Sequence, residues 1–394
     1  MTATSDQASW APAGKEGTSQ TIHHTFARIL TITRSGLLAA VLTAATAAPA
    51  LGQASGTWTA TGSMSGPSLT DYTATLLENG EVLVAGGFNS TTSQVSATAF
   101  LYNPSTGAWS ETGSMVEAVY KHRATLLASG KVLVTGGVTA SGGTTTGAEL
   151  YNPSTGTWSK TVDEMVEGHY DHSAVLLPSG DVVLAGGHCS RTYCENIFGV
   201  ESAADLYNPS ASSLSFVSAA TMHYGRASTQ LTLLPSGEAL IAAGGPIEDN
   251  DGNNEASCSA ELFSQGHGWT LTSNLVQCAS GATPTFAATL ANGDALIENG
   301  NTASEFYNPS TNVWLATSNQ PNVSGPLALL ATGNVLVAGS ALVSGGSNAA
   351  LYDPSTNQWT PAASAPLATP QTLTRLLNGE VLATDGNSAA LFIP

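Results

Sequence analysis

The sequence predicts an all-β fold, a seven-bladed β-propeller of four-stranded antiparallel blades, and three observations predict it. First, one apolar hairpin segment recurs about every 50 residues: ATLLENGEVLVAGG (74–87), ATLLASGKVLVTGG (124–137), AVLLPSGDVVLAGG (174–187), LTLLPSGEALIAAGG (231–245), AATLANGDALIENG (287–300), LALLATGNVLVAGS (327–340) and LTRLLNGEVLATDG (373–386). Second, each of the first six copies is followed by an aromatic segment, as in FLYNPSTGAW (100–109) and ELYNPSTGTW (149–158). Third, the seventh copy reaches ALFIP (390–394) without its Trp, while an orphan Trp58 stands ahead of the first. A strand missing at one end and spare at the other predicts a ring whose last blade is completed by the segment around Trp58.

Each hairpin supplies two strands, A and B, joined by Asn79-Gly80, Ser129-Gly130, Ser179-Gly180 or their counterparts. These residues tolerate the positive φ of a tight turn. Strand B ends at a glycine pair such as Gly86-Gly87, where a Cβ is expected to collide with neighbouring backbone. A variable connection leads to strand C, which carries the Tyr. The Asn-Pro-Ser-Thr-Gly turn ends it, because Pro104 cannot donate to a ladder. Strand D carries the Trp, replaced by Phe216 in the third unit. A blade apolar on both faces is stable only between neighbours, and closing the ring removes the exposed ends.

The glycine pair, the Tyr of strand C and the Trp of strand D, in that order in successive units, resemble the kelch repeat over about 57–394. Asn299-Gly300, Gly339-Ser340 and Asp385-Gly386 depart from the glycine pair. The resemblance implies a module that binds ligands, often proteins, through the face bearing the B–C and D–A connections. It also admits a minority of enzymes, among them copper-radical oxidases similar to galactose oxidase. Fold alone does not choose between these.

Residues 1–52 lie outside the repeats. Lys15, Arg28 and Arg34, then the apolar GLLAAVLTAATAA (36–48), then Ala50-Leu51-Gly52 read as a secretory signal peptide with an extended basic region. The alternative is a retained membrane anchor, which the short Ala- and Thr-rich run disfavours. A secreted, extracellular or periplasmic protein is expected, without membrane insertion after cleavage. Only 10% of the residues are charged and the net charge is −18, which disfavours nucleic acid and anionic membranes as partners. Cys189, Cys194, Cys258 and Cys278 are an even set in an exported chain, so two disulfides are expected. An up-and-down meander brings all four to one face and favours Cys189–Cys194 and Cys258–Cys278.

The B–C connections of the first four units (88–98, 138–147, 188–202, 246–258) read as long, and those of units five to seven as short. Recognition is therefore expected over blades two to four, with a protein or glycan as ligand and a monomeric ring as the binder. Tyr120, His122, Tyr170, His172, His188, His223 and Tyr224 concentrate there and are the candidate binding residues. Converging imidazoles can also hold copper, the alternative being an oxidase. The equivalent places of His122 and His172 in successive repeats favour a structural role in inter-blade hydrogen bonding. Asp249, Asp251 and Glu255 line a loop able to wrap calcium, or simply a solvated acidic loop. No metalloprotease helix, phosphate-cradling loop or nucleophile elbow is present in the sequence, and the enzyme question stays open. A third reading is a structural surface or adhesion component.

Overall fold

The computed structural model describes residues 56–189, 200–212, 215–244, 258–278, 285–299, 304–318 and 322–394. They build seven four-stranded antiparallel sheets. In the first, strands A to D are Thr73–Leu76, Val82–Ala85, Ala99–Asn103 and Ala108–Glu111. The inner strands of the next six blades are Arg123–Leu126, Ser173–Leu176, Thr232–Leu233, Phe286–Thr289, Leu327–Leu329 and Thr372–Arg375. Each packs against the next in order, and Thr372–Arg375 packs back against Thr73–Leu76, so the ring is closed.

Strand B is the buried spine of each blade: all four residues of Val82–Ala85, Val132–Thr135, Val182–Ala185 and Ala239–Ala242 are buried. Each large aliphatic side chain so covered contributes roughly 1.5–3 kcal/mol. The hairpin turns follow the sequence expectation, with φ of +87° at Gly80 and +75° at Gly130. The first glycine of the pair is also explained: a Cβ on Gly86 meets the Val119 carbonyl oxygen at 2.6 Å, and one on Gly186 meets the Arg226 carbonyl oxygen at 2.2 Å. In blade four the pair begins one residue earlier than the repeat suggests. Ala243 follows strand B there and takes the glycine-like conformation, at φ +53°.

The last blade consists of Thr372–Arg375, Val381–Asp385, Ser388–Ile393 and, as its outer strand, Thr57–Ala60. Trp58 pairs with Phe392 across that final ladder. The same aromatic pair recurs in every blade, at Tyr102–Trp109, Tyr151–Trp158, Tyr207–Phe216, Phe263–Trp269, Tyr307–Trp314 and Tyr352–Trp359.

A second repeated device fixes the D–A connections. Carboxylates on strand C reach toward the preceding blade and accept from the backbone there: Glu149 from Val116 and Glu117, Glu305 from Val276 and Gln277, and Asp205 from Val166. Burial raises the pKa of Glu149 and Glu305 despite these donors, and lifts that of Asp205 to about 6.

Two expectations are revised. Tyr120 and His122 read in the sequence as the start of strand A of blade two, but neither lies in it. Tyr120 belongs to a short ribbon, Val119–Tyr120 with Val138–Thr139, and strand A starts at Arg123. Long B–C connections are also not confined to the early blades: that of blade six, 339–348, carries its own ribbon, Val323–Ser324 with Ser340–Ala341. The Cys258–Cys278 disulfide forms as expected. Cys189 is disulfide-bonded, while Cys194 lies outside the described residues, as do Asp249, Asp251 and Glu255. Among the described residues no helix is long and apolar enough to cross a membrane.

Candidate ligand site at the channel mouth

The inner strands surround an axial cavity of about 590 Å³ lined by residues from all seven blades. Its mouth lies on the face carrying the B–C and D–A connections, and a chain of inter-blade hydrogen bonds borders it. The backbone nitrogen of Lys121 donates to Asp71 O, Asp171 to Lys121 O, Ser228 to Asp171 O and Thr285 to Ser228 O, at 2.8–3.0 Å. Asp71 N donates to Gln371 Oε1 at 3.2 Å, bringing in the last blade.

Asp71, Lys121, Asp171 and Ser228 all sit in the left-handed region, with φ of +56°, +57°, +53° and +54°. This is uncommon for residues with a Cβ, and here the bonds on either side enforce it. In blades one to three the turn follows a short pairing, Thr70 with Phe88, Val119–Tyr120 with Val138–Thr139 and Tyr170 with His188, and all four turn residues lie on the cavity wall. Lys121 Nζ lies 3.1 Å from Asp171 and 5.5 Å from the centroid of the Tyr170 ring. Burial lowers the Lys121 pKa, but Asp171 and then Asp71 more than offset it, and the net shift is upward. Lys121 is therefore a cation at neutral pH.

Aromatic rings stand beside this cluster. Tyr170 stacks on His188 at 5.0 Å, the two residues also exchanging backbone hydrogen bonds, and Tyr120 packs on Phe88 at 4.9 Å. So Tyr170, and His188 through it, stand beside Lys121, while Tyr120 packs on Phe88.

His122 and His172 go elsewhere. They are 2% and 1% exposed, wedged between blades, with Nε2 hydrogen-bonded to Thr73 Oγ1 at 3.1 Å and to Thr135 Oγ1 at 2.9 Å. Tyr72 has the same place in blade one and donates to Thr384 Oγ1 at 2.8 Å. Burial and then the Arg123 charge push the His122 pKa down to about 4, and burial holds His172 well below its ordinary value. Both rings are neutral pegs whose Nε2 is already engaged. Among the described residues, no three His, Cys, Asp or Glu side chains group as metal ligands.

His223 and Tyr224 form a third group, on the D–A connection leading to blade four. Their backbone nitrogens donate to the buried Glu261 at 2.8 and 3.2 Å, and His223 Nδ1 lies 2.9 Å from the same carboxylate. Glu261 also accepts from Arg226 Nη2 at 3.1 Å, so this is the strand-C carboxylate device with two extra partners.

The charged residues on the cavity wall are the sequence neighbours of the expected ones. Lys121 lies between Tyr120 and His122, and Asp171 between Tyr170 and His172. The available signal was the charge at the centre of Thr-Asp-Tyr (70–72), Tyr-Lys-His (120–122) and Tyr-Asp-His (170–172) in a chain poor in charge.

A kelch motif is matched over residues 79–116. Among solved structures, that of YjhT aligns with a TM-score of 0.53 at 18% identity, covering 66% of this chain and 88% of that one, a likeness of fold. No curated protein matches the chain. The chain is thus a seven-bladed β-propeller of four-stranded blades that carries a kelch motif in its first blade.

Proposed function

We propose that this propeller is an exported binding module that captures a protein or glycan ligand at the channel mouth of blades one to three. One observation carries the reading. Three successive blades hold a charged residue, Asp71, Lys121 and Asp171, in an enforced left-handed turn on one polar cavity, with the half-buried Tyr170 ring beside Lys121. A fold stabilised by burial alone has no need of this arrangement. Aromatic faces next to donors and acceptors suit both sugar rings and polar protein surfaces. Of the seven residues expected from sequence, Tyr170 and His188 belong to this surface, and His122 and His172 support it from between the blades. Export is supported by the basic, apolar, small-residue order of residues 15–52 and by the Cys258–Cys278 disulfide.

The test is a panel of glycans and extracellular proteins presented to the wild-type chain, to Lys121→Ala and to Tyr170→Ala. Ligands that bind the wild type are expected to weaken at least several-fold on both variants while the melting temperature moves little. Equal binding by all three chains sinks the reading.

A further inference from the structure

Below the charged rim, the chemistry of the axial cavity changes. The rim contributes the acceptors Asp71, which is exposed, and Asp171, which Lys121 neutralises at 3.1 Å. Beneath it, the polar side chains present mainly donors. Arg123 lines the cavity, and its Nε donates to the His172 carbonyl, which fixes the guanidinium plane. Its two terminal nitrogens make no hydrogen bond among the described residues, although the Asp171 charge acts on the guanidinium. Gln230 and Gln371 line the same cavity. Each spends its Oε1 on a backbone N–H, Ala287 N at 3.1 Å and Asp71 N at 3.2 Å, so each amide has its NH₂ to offer. Ser173 Oγ accepts from Leu231 N, leaving its hydroxyl hydrogen as a donor.

A guanidinium edge with two amide NH₂ groups beside it makes this part of the wall rich in unspent donors, while the carboxylates of Asp71 and Asp171 stand at the rim. The group that supplies acceptors with matching planar geometry is a carboxylate. Among the other wall residues, Thr73, Ser228 and Thr372 with the ring of Phe286 suit the hydroxyls and apolar face of a sugar ring. The chain's net charge of −18 opposes anions at long range, so selection must act by contact inside the cavity, within a Debye length of about 8 Å.

Building on the reading of the mouth as a ligand site, we propose that its ligand is a carboxylate-bearing glycan. A uronic-acid unit enters the channel and its carboxylate lies on the Arg123 edge, flanked by the amides of Gln230 and Gln371.

The experiment titrates methyl β-D-glucuronide and methyl β-D-glucoside into the full chain and follows binding by saturation-transfer NMR. Gln230→Glu is the main variant. It keeps the oxygen that accepts from Ala287 N and replaces the free donor with a negative charge, so folding is spared. Arg123→Gln is the second, checked by thermal melting. The wild type is expected to favour the glucuronide, and either variant to cut that affinity by about 10- to 100-fold, leaving the glucoside unchanged. A glucuronide that binds no better than the glucoside, or equally to wild type and both variants, overturns the proposal. So does absence of glucuronide binding. Neutral glycan or protein binding that Lys121→Ala abolishes, without a preference for carboxylate, overturns this inference and leaves the mouth reading standing. Glucuronide binding that needs Arg123 but ignores Lys121→Ala and Tyr170→Ala does the reverse.

Discussion

Trp58 lies against Phe392 with ring centroids 5.1 Å apart, in the same ladder position that joins Tyr102 to Trp109 in the first blade. Its indole nitrogen donates to Ala363 O at 2.8 Å, on the blade next door, as Trp109 donates to Gly62 O. One side chain thus completes the last blade and ties it to its neighbour.

Deleting the chain through Ala60 is therefore expected to abolish cooperative folding, because it strips the outer strand and exposes the edge of Ser388–Ile393. The milder change Trp58→Ala should cost about 3 kcal/mol, the low end for a Trp truncation because the residue is only half-buried. Denaturant titration of the variant, and circular dichroism of the deletion, measure the two effects. A deletion chain that melts like the parent contradicts the closure.

The ring, the strand order and this closing strand were legible in the sequence because the repeat prints them seven times. Hairpin turns and aromatic pairs recur in every unit and the glycine pair in the first three, because backbone crowding and burial act alike there. The site was half legible for the opposite reason. His122 and Lys121 are neighbours in sequence, yet the left-handed turn at Lys121 sends one between blades and the other to the cavity. Residue type alone does not encode that turn. The bonds that enforce it run from Lys121 to Asp71 and from Asp171 to Lys121, each between separate blades. The strand-C carboxylates were visible as Glu149, Asp205, Glu261 and Glu305 in matching places, but their role depends on connections contributed by the preceding blade.

The division between peg and rim predicts opposite phenotypes for adjacent residues. His122→Ala leaves a cavity between blades and an unpaired Thr73 hydroxyl, and should lower stability by about 2–3 kcal/mol. Lys121→Ala removes a partly exposed cation whose pair with Asp171 contributes at most about 1 kcal/mol. Chemical denaturation of the two variants side by side decides this. Equal destabilisation would erase the distinction on which the site assignment stands.

Reduction of Cys258–Cys278 should lower stability by about 3 kcal/mol, the loop-closure value for bridged residues 20 apart. The Cys258→Ser/Cys278→Ser double variant is expected to melt lower than the parent, with other blades intact by near-ultraviolet dichroism. An unchanged melting temperature refutes the contribution.

Acid should weaken the ring through its neutral imidazoles. The His122 and His169 pKa values are pushed down to about 4 by burial, with the Arg123 charge adding to the effect on His122. In the unfolded chain both titrate near 6.5. Between these values the unfolded state binds more protons, so stability is complete above pH 6.5 and falls as pH drops toward 4. Each buried histidine contributes a slope of up to about 1.4 kcal/mol per pH unit. Asp205, raised to about 6 by burial, acts in the other direction between about 4 and 6 and offsets part of the loss. The comparison that isolates one peg is wild type against His122→Gln, denatured at intervals from pH 7.5 to 4.5. The variant starts less stable, but its decline with acid should be shallower by the share of one proton. Parallel curves would mean that His122 takes up its proton at the same pH in the folded and unfolded chain, and its place between the blades would need another explanation.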